Sequence, residues 1–167
     1  MVGLKDRKIL VTGASGHVAK AVAETLLELG ATITLSDRDH LRLATRAHEL
    51  GLGDESWIQG DLTVETDMHM IPRFAADRMF GLDTIVHCAA LTGTGDGIRS
   101  GWAVPFQYQT AEAFKYSLNL GLVAPFIMAQ ELQEDLYDNA KGNILLFGSI
   151  YGLVGPQPSL YAGIDGI

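Results

Sequence analysis

Residues 9–19 read ILVTGASGHVA, and their pattern is the strongest indication of the fold in the sequence. An apolar run suited to a buried strand breaks into a small turn, and apolar residues then recur at helical spacing. Gly13, Gly16 and Ala19 occupy the three spaced positions of a dinucleotide-binding turn, whose helix N-terminus offers N–H groups to phosphate oxygens. A tight turn without a ligand would have a similar pattern. The strand before it and an acidic residue after it favour the nucleotide.

The composition is that of a globular protein, with one domain over residues 1–167. Hydrophobic residues make up 47% of the chain and charged residues 19%, which argues against disorder. The formal net charge of −8 disfavours nucleic acid and anionic membranes as partners. Cys88 is the one cysteine, so we expect no disulfide and no metal site. The sequence shows neither a secretory signal nor an apolar run of about 20 residues, which predicts a cytoplasmic protein.

Strands alternate with helices along the chain, which is typical of right-handed βαβ units and a parallel sheet. The predicted strands are residues 8–12, 32–35, 57–59, 82–90 (with the turn after it) and 143–147. The predicted helices are residues 18–29, 41–50, 64–79 and 111–136. We expect Pro72 to kink or start the third helix and Pro125 to kink the fourth. Residues 91–110 form a long loop, interpreted as part of a substrate mouth or an interface.

Asp37 follows the second predicted strand, about 20 residues beyond the glycine turn. A carboxylate there can accept a hydrogen bond from a ribose 2′-hydroxyl and would repel a 2′-phosphate, so the sequence favours NAD over NADP. Arg38 leaves NADP open, because a guanidinium can hold the phosphate instead. The alternative role for Asp37 is to cap the helix that starts near Asp39, and one residue could serve both purposes.

Five blocks of the sequence, in this order, resemble the short-chain dehydrogenase/reductase family, and the resemblance covers nearly the whole chain. The blocks are residues 12–19, 37, 61–62, 87–90 and 142–152. The first block is closer to the extended branch of that family, because Gly16 stands where that branch has its second glycine, although His17 is unusual for either branch. The resemblance implies a Rossmann-like α/β fold with a doubly wound parallel sheet of order 3-2-1-4-5, helices on both faces and a nicotinamide cofactor.

The resemblance also implies which residues hold the cofactor. Asp61 and Leu62 would lie against the adenine, and the backbone of Ala89 and Ala90 would lie along the ribose. The small residues of 87–90 would serve tight packing at a sheet edge equally well. The full implied cofactor-binding set is Gly13, Ser15, Gly16, His17, Val18, Asp37, Arg38, Asp61, Leu62, Cys88, Ala89 and Ala90.

The family's catalytic groups, a serine, a tyrosine and a lysine, are matched in part. Ser149 matches the serine that holds the substrate oxygen, and Tyr161 follows at nearly the usual spacing. Asp165 stands where the lysine is required, and a carboxylate raises a phenol's pKa, which is the wrong direction for a general base. Asn119 resembles the family's proton-relay asparagine but lies two residues before the matching position, Gly121, on another face of the helix.

Two explanations account for Asp165. One is a protein that binds or senses a nucleotide without hydride transfer. The other, which we favour, is that Tyr161 is a loop residue. Residues 149–161 resemble a subgroup of flagellin-modification and surface-polysaccharide dehydrogenases, in which the working Tyr-x-x-x-Lys comes several residues later. The chain would then stop before its own catalytic motif and lack the C-terminal part of the fold.

The resulting hypothesis is an oxidoreductase that moves a hydride between NAD, with NADP less favoured, and a carbonyl or secondary alcohol. The subgroup resemblance suggests a sugar derivative as the substrate. The apolar face of the helix at 111–136 is wider than one sheet face requires, so we expect a homodimer or homotetramer formed through it. The alternative remains a non-catalytic nucleotide-binding protein.

Overall fold

A computed structural model describes residues 3–91, 104, 106–134, 142–155 and 157–161, in which strands and helices alternate. The strands are β1 Lys8–Thr12, β2 Thr32–Asp37, β3 Trp57–Gln59, β4 Thr84–His87 and β5 Asn143–Leu146. The helices are α1 His17–Glu28, α2 His40–Glu49, α3 Glu65–Met79, α4 Ala111–Leu118 and α5 Ala124–Glu131. The loop predicted at 91–110 lies mostly outside the described residues.

The strands form one sheet of order β3-β2-β1-β4-β5, and all four neighbouring pairs are parallel. This confirms the predicted order 3-2-1-4-5. Thr12, the last residue of β1, pairs with Ser36 of β2 on one side and His87 of β4 on the other. The order reverses beside β1, so the carboxyl ends of β1 and β4 flank the crevice where doubly wound sheets bind ligands.

Two hydrophobic cores cover the two faces of the sheet. Side chains alternate along β1, so Leu10 belongs to the core shared with α3 and α5, while Ile9 and Val11 belong to the core shared with α1 and α2. Leu10 and Val11 are both fully buried. The helices therefore lie on both faces, as expected for this fold.

Some element boundaries differ from the sequence prediction. β2 runs two residues further than predicted, to Asp37, because the backbone of Asp37 is in register with Gln59 of β3. β4 is confined to Thr84–His87, where it pairs with both β1 and β5. The third helix begins at Glu65, so Pro72 lies inside α3 and does not start it.

The predicted helix at 111–136 is two α-helices joined by a five-residue π turn, Asn119–Val123. The N–H group of Ala124 donates to the carbonyl oxygen of Asn119, five residues back, instead of to Leu120. Pro125 has no N–H group and cannot continue an α-helical ladder, so the helix opens into the wider turn just before it. A π turn thus lies directly before Pro125, the residue at which a kink was predicted. Residues 135 and 136 lie outside the described range.

A charged cluster joins the two helices that cover the same sheet face. The Nδ1 atom of His69 on α3 lies 2.5 Å from Oε1 of Glu131 on α5, and Arg73 pairs with the other oxygen of that carboxylate. The hydrogen bond from His69, followed by those from Arg73, holds the pKa of Glu131 below its usual value. The cluster fixes α5 against α3. Across the described ranges, every helix is too short or too polar to cross a bilayer.

Candidate functional site

A cavity of about 440 Å³ opens at the carboxyl edge of the sheet. It lies where β1, β2, β3 and β4 end, because parallel strands bring their carboxyl ends to the same edge. All twelve residues of the predicted cofactor set line it: Gly13, Ser15, Gly16, His17, Val18, Asp37, Arg38, Asp61, Leu62, Cys88, Ala89 and Ala90. The structure thus brings the whole predicted set together, and its binding role stays a prediction.

Gly13 is required by a close approach of two backbone segments. Its φ is +64°, in the left-handed region that glycine favours. A Cβ atom at this position would lie only 2.6 Å from the backbone N and Cα atoms of Ala89, which follows β4. The turn after β1 can therefore pack against the end of β4 only with glycine at this position.

The N-terminus of α1 faces the cavity. The first backbone hydrogen bond of this helix runs from the N–H of Lys20 to the carbonyl oxygen of Gly16, at 3.1 Å, so the N–H groups of His17, Val18 and Ala19 precede it. Among the described residues, α1 has no side-chain N-cap and no acidic residue in its first turn. The positive end of the helix dipole is thus left available to an anion.

Asp37 links the glycine turn to the end of β2. Its Oδ2 atom accepts a hydrogen bond from the backbone N–H of Ser15, and its Oδ1 atom accepts one from the N–H of Asp39, both at 3.0 Å. The N-cap of α2 is Asp39, whose side chain accepts from the N–H of Arg42. The alternative that Asp37 caps this helix is therefore wrong, because β2 extends through Asp37 and α2 starts after Asp39.

Two arginines line the cavity beside Asp37. Nη1 of Arg38 donates to the hydroxyl oxygen of Tyr116 on α4 at 3.1 Å, and the Arg38 carbonyl accepts from the amide of Gln59. Nε of Arg42 lies 3.6 Å from Oδ2 of Asp39. Tyr116 and Arg42 also line the cavity, and neither was identified from the sequence. Tyr116 lies in a helix far along the chain, where the sequence gives no sign of which side faces the site.

A third arginine, Arg46, is hydrogen-bonded to the backbone of the glycine turn. Nη1 of Arg46 donates to the carbonyl of Gly16 at 3.2 Å, and Nη2 reaches the carbonyl of Ser15 at 3.5 Å. The Arg46 side chain is only 12% exposed. Arg46 follows the buried Leu43 by three residues, so its place on the apolar stripe of α2 was the signal available in the sequence.

The segment after β3, residues 61–63, lies along one side of the cavity and is held by several hydrogen bonds. Oδ1 of Asp61 accepts hydrogen bonds from the N–H and the hydroxyl of Thr63, at 3.0 and 2.8 Å. The Asp61 N–H donates to the carboxylate of Asp67 at 2.7 Å. Nδ2 of Asn119 donates to the carbonyl of Thr63, which ties the π turn to this segment. Leu62 is buried beneath it.

His87 and Cys88, adjacent in sequence, occupy different environments. His87 is buried and bonds to Thr12 and Leu120, while Cys88 is half-buried and lines the cavity. Burial raises the pKa of the Cys88 thiol to about 11. Cys88 is thus a neutral thiol at physiological pH.

The predicted catalytic residues are not among the described residues that line the cavity. Ser149 is exposed just beyond β5, and Tyr161 ends a short 3₁₀ helix, Pro158–Tyr161. Among the described residues that line the cavity, none is Ser149, Tyr161 or Asn119. Asp165 lies outside the described residues. Within the described ranges, no cluster of three potential metal ligands occurs.

A family model described as short chain dehydrogenase matches residues 7–163. This match covers most of the chain. The protein therefore belongs to the short-chain dehydrogenase family.

Curated relatives are similar over most of this chain but are longer. Nodulation protein G of Rhizobium meliloti (strain 1021) is 28% identical over 155 residues, which cover 93% of this chain and 59% of the relative. L-fucose dehydrogenase of Mus musculus is 25% identical over 155 residues, which cover 91% of this chain and 52% of the relative. The chain thus spans little more than half the length of these relatives.

The fold is shared with a solved structure described as NAD⁺-bound xylitol dehydrogenase. The TM-score is 0.77, with 20% sequence identity, over 98% of this chain and 60% of that one. This likeness confirms the Rossmann-like architecture.

Proposed function

We propose that this protein is an oxidoreductase that transfers a hydride between NAD and a carbonyl or secondary alcohol. The observation that carries the proposal is the cavity at the carboxyl edge of the sheet, where the N-terminus of α1 and the carboxylate of Asp37 lie on one wall. Bound nicotinamide would supply the hydride acceptor or donor. The family membership supports redox chemistry rather than another use of the fold.

The residues present fit a dinucleotide. A Cβ atom on Gly16 would lie only 3.2 Å from the carbonyl oxygen of Gly13, so glycine keeps the turn beside the N-terminus of α1 free of a crowding side chain. The N–H groups at the start of α1 would hold the diphosphate. Asp37, fixed by two backbone N–H groups, would accept from the ribose hydroxyl at the adenosine end. NAD is favoured because a 2′-phosphate would meet this carboxylate.

The substrate class we propose is a sugar or sugar-like alcohol. Support comes from two similar proteins, an L-fucose dehydrogenase and a xylitol dehydrogenase. Ser149, beyond the carboxyl end of β5, would hold the substrate oxygen through its hydroxyl. The non-catalytic alternative is favoured by one feature, Asp165 in place of a lysine four residues after Tyr161.

Two measurements test the proposal. Calorimetric titration with NADH and NADPH should show binding of NADH and weaker binding of NADPH. In the protein expressed from its whole coding region, nicotinamide absorbance followed with NAD and a panel that includes L-fucose and xylitol should then show turnover that is lost in Ser149→Ala. Absence of binding by both cofactors would reject the site. Binding without turnover of any sugar or simple secondary alcohol by the product of the whole coding region would favour the non-catalytic alternative.

We also propose that the α4–α5 apolar face, defined as Phe114, Leu118, Leu122 and Phe126, joins two copies of the chain. These side chains recur every fourth residue and are 57%, 41%, 60% and 61% exposed. Large apolar side chains that stay this exposed along one helix pair are typical of interaction sites. A second copy is the simplest occupant, because a two-fold axis would place the same face against itself.

A further inference from the structure

One hydrogen bond joins two walls of the cavity. Arg38 directly follows Asp37 at the end of β2, and its Nη1 donates to the hydroxyl oxygen of Tyr116 at 3.1 Å. Tyr116 lies on α4, and its ring packs against the core that contains Leu120. The ring is thus anchored by packing while the hydroxyl is directed to Arg38.

The permanently charged cations that line the cavity, within the described residues, are Arg38 and Arg42. Each has a partner already. Arg38 is bonded to Tyr116, and Arg42 is paired with Asp39, the N-cap of its own helix. A 2′-phosphate near Asp37 would therefore meet a carboxylate and two guanidinium groups that are held by other side chains.

We propose that Tyr116 is a specificity-determining residue, which favours NAD over NADP by holding the Arg38 guanidinium away from the 2′ position. This inference rests on the proposed function, because it concerns the cofactor of the same cavity. Tyr116 acts through Arg38 and is a positioning residue.

The chemistry of the two acceptors explains the effect. A phenol hydroxyl is a neutral acceptor that binds one N–H group of the guanidinium. A phosphate is an anion that can accept hydrogen bonds from two of these N–H groups at once. When the hydroxyl is removed, Arg38 loses its partner and becomes available to a 2′-phosphate. The affinity for NADPH then rises, while the affinity for NADH changes little because NADH carries no group that needs the cation.

The test is calorimetric titration of NADH and NADPH into the wild-type protein, Tyr116→Phe, Arg38→Met and the double variant. Tyr116→Phe keeps the ring that packs on the core, so it should fold, and circular dichroism melts check this. We expect the ratio of NADPH to NADH affinity to rise about threefold to tenfold in Tyr116→Phe and to return to the wild-type ratio in the double variant. Tyr108→Phe is the matched control, because Tyr108 is 67% exposed and is not among the residues that line the cavity.

The failures can be told apart. An unchanged ratio in a folded Tyr116→Phe variant that still binds NADH would overturn the role of Tyr116 and leave the proposed function standing. A wild-type protein that binds neither cofactor would overturn both. Arg38→Met gives an independent check, since the proposal expects little change in NADPH affinity. A large loss there would show that Arg38 already contacts the phosphate, and it would overturn the proposal even if Tyr116→Phe failed to fold.

Discussion

The imidazole of His87 donates a hydrogen bond through Nε2 to the carbonyl oxygen of Leu120, at 3.0 Å. In an α-helix that carbonyl would accept from the N–H of Ala124, but the π turn redirects this N–H to Asn119 and leaves the Leu120 carbonyl for His87. Because a carbonyl only accepts, Nε2 carries the proton, and Nδ1 of the neutral ring accepts from the Thr12 hydroxyl at 2.9 Å. One buried side chain thus joins the ends of β1 and β4 to the π turn.

This relationship predicts a pH dependence of stability. Burial lowers the pKa of His87 below 6.5, although its hydrogen bond to Leu120 opposes the shift. Below pH 6.5 the unfolded chain binds a proton that the folded protein excludes, so the free energy of unfolding falls as the pH decreases from 6.5 to the folded pKa. The loss approaches about 1.4 kcal/mol per pH unit in that range.

Urea unfolding of the wild-type protein and of His87→Gln, at about pH 8 and about pH 5.5, measures the effect. The variant should be less stable at the higher pH, because it does not reproduce both buried hydrogen bonds, but it should lose less stability on acidification. His48→Gln is the control, since His48 is exposed on α2. Equal acid sensitivity of His87→Gln and the wild-type protein would contradict the prediction.

Substitutions at two glycines, Gly13 and Gly51, distinguish the cost of a left-handed backbone conformation from the cost of a close backbone contact. Gly13 and Gly51 have similar φ values, +64° and +69°, but a Cβ on Gly51 meets nothing within 4 Å, whereas one on Gly13 meets the backbone of Ala89 at 2.6 Å. Gly51→Ala should lower the free energy of unfolding by about 1 kcal/mol through strain alone. Gly13→Ala should lower it by about 2 kcal/mol more, because β4 must shift. Equal losses of unfolding free energy in chemical denaturation would contradict this, because they would show that the backbone near Ala89 shifts at little cost.

The family resemblance in the sequence predicted the strand order, and the sequence also predicted twelve residues that line the cavity. Gly13, Asp37 and Asp61 were found because each lies at or just after a strand, and parallel strands bring these positions to one edge. The sequence did not predict the π turn, because its cause is only partly local. Pro125 shows that the helix is interrupted but not in which form. The Leu120 carbonyl, which loses its helical donor in the π turn, accepts a hydrogen bond from His87, 33 residues earlier in the sequence.

The missed site residues come from helices. Arg46 and Tyr116 reach the glycine turn and the cavity from α2 and α4, and the side that each presents depends on how its helix packs. The assignment of the N-cap failed for a related reason. Asp37 and Asp39 are chemically equivalent and two residues apart, so only the pairing of β2 with β3 shows that the strand continues through Asp37.

Asp37→Asn should weaken the binding of NADH by about tenfold, because a charged acceptor for the ribose hydroxyl becomes neutral. NADPH should lose less or gain affinity, since the repulsion of its phosphate is removed, so the ratio moves towards NADPH. Calorimetric titration measures both cofactors. Asp77→Asn on α3 is the control, because Asp77 is exposed and does not line the cavity. A ratio that stays constant would refute the role of Asp37 in cofactor choice.

Phe126→Glu should separate the copies joined through the α4–α5 apolar face. Two carboxylates brought together by a two-fold axis would repel each other and would have to be buried without partners, so the association constant should fall at least about 100-fold. Light scattering coupled to gel filtration should show a dimer or tetramer for the wild-type protein and a single chain for the variant. Phe80→Glu is the matched control, because Phe80 is 90% exposed but lies at the end of α3, outside this face. A wild-type protein that runs as one chain at high concentration, or a variant of unchanged mass, would show that the face does not join two copies.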